Sequence, residues 1–168
     1  MSSNTPDART GGEPDAASEE SSQAIVDVRS LAKGGVGGFV ATAVMTAFRM
    51  PITDSLPPTA NFWAKYVGGG RPDDYALQGL VLHLLYGTVG GVVFSGLAGR
   101  WLEGQDVTKE RRGALGGFAY GLLLSVVGVR VVLRRVLGMD LEPDERWVFH
   151  VSHVVYGLTL GTWLGSRD

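Results

Sequence analysis

The chain has 168 residues, of which 45% are hydrophobic and none is cysteine, and its formal net charge is −2. This length predicts a single domain. The lack of cysteine excludes disulfides, thiolate metal sites and cysteine nucleophiles. Nothing in the sequence supports nucleic-acid binding.

Residues 1–23 form an acidic segment that contains almost no apolar side chains. The segment carries five acidic residues against the single Arg9, a net charge of −4. Because so little apolar surface cannot offset the entropy lost on ordering, residues 1–23 are predicted to be a disordered tail. A secretory signal is not expected, since the segment lacks a basic start followed by an apolar stretch.

Four long apolar windows follow the tail, at about residues 33–50, 78–99, 113–133 and 147–165. Each has about 18–22 residues, the length that a helix needs to cross a hydrocarbon core of about 30 Å. They contain uncharged stretches such as GVVFSGLAG and GLLLSVVGV, which an amphipathic helix of a soluble protein would interrupt with polar residues. The sequence therefore predicts an all-α membrane domain over residues 24–168, a four-helix bundle, and a soluble helical bundle is the less favoured alternative.

The links between the windows carry helix signals. The second window is preceded by RPDD at 71–74 and the fourth by EPDE at 142–145, and a proline with acidic neighbours favours a helix start. Residues 59–67 predict a short helix at the membrane boundary, where aromatic side chains such as Trp63 concentrate.

The basic residues in the links bear on orientation. Seven basic residues lie on each side of the predicted spans, and four of them are in the short link 100–112. Because the positive-inside rule applies best to short loops, both termini are expected in the cytoplasm, with the chain in the cell membrane.

Spans one and two are predicted to be an earlier copy of spans three and four. Residues 83–91 (HLLYGTVGG) and 153–161 (HVVYGLTLG) share the pattern H-x-x-Y-G-x-x-x-G, and residues 34–39 (GGVGGF) are similar to 113–118 (GALGGF). A two-span unit returns to its starting side, so both copies have the same orientation, the parallel class of internal repeat. The repeat predicts that His83 and His153 lie at matching depths.

Small residues recur at four-residue spacing in every span. Positions i and i+4 share a helix face, and small residues there let membrane helices approach closely. A functional alternative is a smooth surface for a flat ligand or for sliding. The glycines predicted to pack the helices are Gly34, Gly38, Gly87, Gly91, Gly117, Gly121, Gly157 and Gly161.

The histidines are predicted to belong to a polar cluster inside the membrane. A histidine in the hydrocarbon region is costly unless it has a partner or faces a water-filled cavity. Each motif places a tyrosine three residues after its histidine, and two arginines approach the same level from the ends of spans one and three. The predicted cluster comprises His83, Tyr86, His150, His153, Tyr156, Arg49 and Arg130.

This cluster admits several roles. Hydrogen bonding between helices that fixes the bundle geometry is favoured, and a small-solute or proton transporter or channel subunit, for which four spans imply association of copies, comes next. Two histidines on parallel helices could also hold haem as axial ligands. A hydrolytic metal site is least favoured, because no carboxylate lies nearby to act as base. The expectation is a lipid-embedded, non-enzymatic protein without catalytic residues or a cofactor.

The order of features resembles one known family. A glycine-rich first span leads to SLPP at 55–58, and histidine-bearing second and fourth spans follow. In this order and spacing, residues 34–165 resemble the YagU-like small inner-membrane proteins. The resemblance implies a four-helix membrane protein and little about its chemistry.

Overall fold

The computed structural model of the protein describes residues 16–53, 57–102 and 106–166, and this part of the chain contains helices and no strand. The all-α prediction is therefore confirmed. The α-helices are α1 (Ala16–Arg49), the short α2 (Pro58–Trp63), α3 (Ala76–Leu102), α4 (Asp106–Val127) and α5 (Pro143–Gly165).

Helix α1 begins within the segment that is predicted to be a disordered tail. Residues 1–15 of that tail lie outside the described residues, whereas residues 16–23 form the first turns of α1. Alanine and glutamate in this stretch are strong helix formers, and acidic residues near a helix N-terminus interact favourably with the helix dipole.

Three of the described helical stretches are long and apolar enough to cross a membrane: Val28–Arg49, Pro72–Ala98 and Lys109–Leu137. They overlap the first three predicted windows almost completely and indicate a membrane protein. The fourth window forms α5 but is not among these three, because His150, Ser152 and His153 lower its mean hydropathy.

The outer face of α3 is a continuous apolar stripe. Its members follow one another at four-residue spacing, so each lies beside the next on the helix surface. Such an extensive exposed apolar surface is unusual for a soluble monomer and suits contact with lipid. The exposed residues of this stripe are Leu77, Val81, Leu85, Val89, Val93 and Leu97.

Helices α1 and α3 pack in antiparallel fashion with their backbones in contact at glycine. A Cβ atom added to Gly38 would lie 2.9 Å from the Cα atom of Gly91, and one added to Gly91 would lie 2.7 Å from the Cα atom of Gly38. One turn further along α1, Thr42 occupies the space beside Gly87. These contacts between α1 and α3 leave no room for a side chain at these glycines, in line with the helix-packing role predicted for them.

Helices α4 and α5 pack in the same way. A Cβ atom on Gly117 would lie 2.9 Å from the Cα atom of Gly161, and one on Gly157 would lie 2.9 Å from the Cα atom of Gly121. Gly117 corresponds to Gly38 in the two similar glycine-rich segments, and Gly161 corresponds to Gly91 in the two histidine motifs. The two helix pairs therefore use the same contact register.

Helix α5 also packs against α1. The indole of Trp163 lies over Gly37, where an added Cβ atom would be 3.0 Å from Nε1. Ala41 and Met45 of α1 share a buried core with Tyr156 and with Leu160, which is fully buried. Gly37 of α1 lies at Trp163 near the end of α5, and Arg49 at the end of α1 interacts with Glu145 at the start of α5, so α5 runs antiparallel to α1. Since α3 does so too, α3 and α5 run in the same direction.

A π-helix of ten residues, Gly128–Leu137, continues α4. A π-helix carries about one more residue per turn than an α-helix and is frequent at functional sites. A Cβ atom on Gly128 would lie 2.9 Å from Cζ of Phe149, so glycine lets this ring approach the backbone. The segment ends at Gly138, whose φ of 72° lies in the left-handed region that favours glycine.

The short helix predicted for residues 59–67 is confirmed as α2 and the π-helical turn Ala64–Gly68 that follows it. This segment contacts the end of the π-helix. Lys65 Nζ donates to the carbonyl oxygens of Val136 and Leu137 at 2.9 and 3.0 Å, and Tyr66 Oη donates to that of Val136 at 2.6 Å. A cation at a helix C-terminus satisfies carbonyl groups that lack partners within the helix.

Replacing Gly91 with alanine is expected to lower the free energy of unfolding by about 1–3 kcal/mol, because the new methyl group would meet the backbone of α1. Gly96→Ala in the same helix is the matched control, since a methyl group there would meet Leu31 Cδ2 at an ordinary 3.7 Å. Thermal unfolding of both variants in detergent, followed by circular dichroism, measures the difference. Equal stabilities would contradict the close contact between α1 and α3.

Candidate functional site

The histidines of the two motifs line one cavity. The cavity has a volume of about 340 Å³, and His83 and Tyr86 from α3 and His153 and Tyr156 from α5 contribute to its wall. None of the described residues that line it is acidic. The rest of the wall is mainly apolar and includes Met45, Phe62, Leu82, Leu124, Leu133 and Phe149.

His153 has one ring nitrogen committed to the backbone. Its Nδ1 atom lies 2.8 Å from the carbonyl oxygen of Phe149, and its ring packs against that of Phe149 with centroids 4.3 Å apart. A carbonyl oxygen can only accept, so Nδ1 carries the proton. In the neutral imidazole, the Nε2 atom of His153 is therefore an acceptor.

His83 has no hydrogen bond to another described residue. It interacts electrostatically with His153 and with Arg49, the last residue of α1. An imidazole at membrane depth without a hydrogen-bond partner is costly, which makes it a functional-site candidate. The structure therefore brings together at this cavity the pair of histidines that the repeated motif predicts to lie at matching depths.

The two motif tyrosines occupy different environments. Tyr156 is 2% exposed, and its Oη atom donates to the carbonyl oxygen of Gly87 at 2.7 Å, a bond between α5 and α3. Tyr86 is 50% exposed at the cavity and makes no hydrogen bond to another described residue. The tyrosine of the motif thus makes a hydrogen bond between helices at residue 156, whereas at residue 86 it is an accessible side chain.

Tyr120 helps to join the two helix pairs, a role that the sequence did not predict. Its Oη atom donates to the carbonyl oxygen of Gly90 at 2.9 Å, and its ring lies 4.9 Å from that of Phe94. Together with Tyr156 it bonds α3 to the other helix pair. Residue 120 corresponds to Ala41 in the first copy, so the repeat gave no signal, and only a tyrosine inside an apolar span could have pointed to it.

Arg49, the last residue of α1, lies near the two histidines of the cavity. It interacts electrostatically with both His83 and His153, and also with Glu145 in the first turn of α5. The predicted approach of Arg49 to the histidines from the end of the first span agrees with this placement.

His150 and Arg130 lie at a different pocket from the other members of the predicted cluster. They line a second pocket of about 230 Å³ with Arg134 and Arg146, and neither lines the cavity of His83 and His153. Because three residues turn an α-helix by about 300°, His150 is rotated by about 60° from His153 toward α4. The predicted polar cluster therefore divides into two groups on opposite sides of the π-helix.

Within residues 16–53, 57–102 and 106–166, no three His, Cys, Asp or Glu side chains come together to form a metal site. Comparisons of the chain with protein-family models, with curated proteins and with solved structures each found no match. The resemblance to the YagU-like proteins stays a prediction. The geometry of the cavity is consequently the basis on which a function is proposed.

Replacing Tyr156 with phenylalanine is expected to lower the free energy of unfolding by about 1 kcal/mol, because the variant loses a buried hydrogen bond to α3. Tyr86→Phe is the matched control from the other copy of the motif and should leave stability unchanged. Denaturant unfolding in mixed micelles compares the two variants. Loss of stability in Tyr86→Phe but not in Tyr156→Phe would contradict the different roles of the two tyrosines.

Proposed function

We propose that the chain is a multi-pass protein of the cell membrane whose four long helices cross the bilayer as two parallel repeats, with both termini in the cytoplasm. The support for the repeat is the contact register. Gly38 meets Gly91 in the first pair, and Gly117 meets Gly161 in the second, at corresponding positions of the similar segments. Two helices that cross and return bring each pair back to the same side.

The lower hydropathy of α5 is compatible with a fourth crossing. Helix α5 packs against both α4 and α1, and its buried residues include Phe149, Ser152 and Leu164. A helix that its neighbours shield from lipid needs fewer apolar residues than one that faces lipid, because its polar groups find partners inside the protein. Ser152, for example, donates to the carbonyl oxygen of Val148 at 2.6 Å.

We propose further that the cavity between the two repeats binds a small, mainly apolar molecule that carries a hydroxyl group. The observation that carries this proposal is the presence of two imidazoles, His83 and His153, in a mainly apolar wall. A well-formed apolar pocket with a few convergent polar groups is the usual form of a small-molecule site. The volume of about 340 Å³ suits a ligand of one or two rings.

The hydrogen bonding of His153 is the reason why we propose a hydroxyl group on the ligand. Because Nδ1 donates to Phe149, Nε2 presents a lone pair, and a ligand hydroxyl can donate to it. The oxygen of that hydroxyl can in turn accept from the N–H group of His83. A ligand of this kind would satisfy both rings, whereas a purely apolar ligand would leave them without partners at the cost of unmade hydrogen bonds.

Interhelical hydrogen bonding remains the role of other members of the predicted cluster. Tyr156 bonds α5 to α3, and His150 bonds α5 to Ser125 of α4 at 2.9 Å. His83 contributes no such bond to the described part of the chain. We therefore assign the structural role to Tyr156 and His150, and the ligand-binding role to His83 and His153. We propose binding without catalysis.

Binding of 1-naphthol by the protein in nanodiscs tests the proposal. The wild-type protein is expected to bind 1-naphthol about tenfold more tightly than 1-methylnaphthalene, which has a similar shape but no hydroxyl group, because one good hydrogen bond is worth about that factor. His153→Phe should abolish this preference. Equilibrium dialysis against empty nanodiscs removes the contribution of the lipid.

Equal affinity for the two compounds, or a preference that survives in His153→Phe, would contradict the proposed ligand class. Leu97→Ala, on the lipid-facing stripe of α3, is the control for a general effect of substitution. A Soret absorbance in the purified protein would instead favour haem held by His83 and His153.

Transfer of protons or a small solute is the second candidate function. It is favoured by the two histidines of the cavity, which interact electrostatically with Arg49, while Arg49 also interacts with Glu145 at the start of α5. Buried ionisable groups at the interface of two repeats are where transport sites occur in other membrane proteins.

If the chain transfers protons, proteoliposomes with a pH-sensitive dye inside are expected to show a flux that His83→Gln abolishes. The variant removes the titratable ring but keeps a hydrogen-bonding side chain of similar length. Leu97→Ala, on the exposed stripe of α3, is the control, because Leu97 lies outside the cavity. A wild-type flux no greater than that of empty liposomes would exclude proton transfer and leave the binding proposal unaffected.

A further inference from the structure

A second pocket lies on the other side of the π-helix from the histidine cavity. Arg130 and Arg134 of the π-helix and Arg146 and His150 of α5 surround a space of about 230 Å³. We propose that this basic pocket binds the phosphate group of an anionic membrane lipid with a hydroxyl-bearing headgroup. The inference is independent of the ligand proposed for the cavity.

The basic pocket is at the level of the lipid headgroups. The candidate span Lys109–Leu137 has 29 residues, so it is longer than the roughly 20 residues that cross a hydrocarbon core of about 30 Å. Its last turns therefore extend into the headgroup region. Helix α5 starts from the same side at Pro143, which brings Arg146 and His150 to this level.

The arginines of the basic pocket have N–H groups that can donate hydrogen bonds to a ligand. Arg134 uses Nε for its ion pair with Asp140 at 2.6 Å, which leaves both terminal nitrogens of a guanidinium with five N–H groups. Arg130 makes no hydrogen bond or ion pair with another described residue. Three arginines against one paired carboxylate leave a net positive charge, and planar guanidinium groups match the geometry of phosphate oxygens.

Arg146 provides a second, separate indication of a ligand. One of its terminal nitrogens donates to the carbonyl oxygen of Leu141 at 3.0 Å, whereas its Nε atom is buried and has no hydrogen-bond partner among the described residues. A buried donor without an acceptor costs free energy, and more so when the donor belongs to a charged group. The guanidinium of Arg146 lines the pocket, and its other terminal nitrogen, which makes no hydrogen bond to a described residue, can donate to an oxyanion there.

His150 is held in a fixed orientation in the basic pocket. Ser125 donates its own proton to the carbonyl oxygen of Leu122 at 2.8 Å, so the Ser125 oxygen accepts from Nδ1 of His150 at 2.9 Å. The Nε2 atom of the neutral ring is then an acceptor. A headgroup that carries a hydroxyl group, such as glycerol, can donate to it while the arginines bind the phosphate.

The remaining wall of the basic pocket favours a lipid over a free phosphate ion. Val126 and Val129 line the pocket beside the arginines. Val126 is 40% exposed and so presents apolar surface beside the guanidinium groups. An acyl chain can lie along these side chains while its headgroup contacts the guanidinium groups.

Native mass spectrometry of the full chain in detergent, with phosphatidylglycerol as the probe, tests the proposal. Arg130→Gln and Arg134→Gln are each expected to lower the affinity for phosphatidylglycerol about tenfold, the usual effect of losing one charge-assisted contact. Arg135→Gln removes the same charge from the same helix outside the pocket and should bind as the wild type does. Phosphatidylcholine, which is zwitterionic and has no headgroup hydroxyl, should bind weakly to all variants.

An equal loss of affinity in Arg135→Gln and Arg130→Gln would overturn the site, because the effect would then be one of general surface charge. Displacement of the lipid by an equimolar amount of inorganic phosphate would overturn the assignment to a lipid. Melting temperatures without added lipid identify variants that do not fold. For any such position the Lys variant, which keeps the charge but not the planar group, is expected to lose less affinity than a Gln variant, and a loss as large as that of another Gln variant would contradict recognition of charge.

Discussion

Backbone contact at glycine is the interaction on which the rest of this structure depends. Water does not drive association between helices in lipid, so close approach and the dispersion energy that it brings must do so. Gly38 and Gly91 in one pair, and Gly117 and Gly161 in the other, remove the side chains that would hold the helices apart. The same register in both pairs sets His83 and His153 at one level and so creates the wall of the cavity between them.

The two helix pairs are joined by interactions that differ between the copies. Helix α5 packs extensively against α1, whereas α3 contacts α4 much less. Tyr120 and Tyr156 add to this junction by donating to carbonyl oxygens of α3, whereas the corresponding residues Ala41 and Tyr86 make no such bond among the described residues. The two helix pairs thereby differ, with the tyrosine of one histidine motif inside the protein and the tyrosine of the other accessible at the cavity.

Much of the fold could be predicted from the sequence, because apolar length, proline–acid helix starts and four-residue glycine spacing are local patterns. The α-helical class, the short helix after the first span and the glycine contacts all follow from them. The site was only partly predictable. His83 and His153 were predictable from the repeated motif, but the separation of His150 and Arg130 depends on the rotation of α5 and on the π-helix, which no local pattern encodes. Tyr120 has no counterpart in the first copy, so the repeat did not reveal it.

The π-helix Gly128–Leu137 has a consequence for how the two pockets behave together. Val132 and Leu133 face the histidine cavity, while Arg130 and Arg134 border the basic pocket, so a single segment is the wall of both. Its last carbonyl groups are held by Lys65 and Tyr66 from the link between the first two spans. Any ligand that shifts this shared wall from one side alters the affinity on the other, and thermodynamic linkage makes that effect reciprocal. The composition of the surrounding bilayer would then be one of the variables that set how the cavity is occupied.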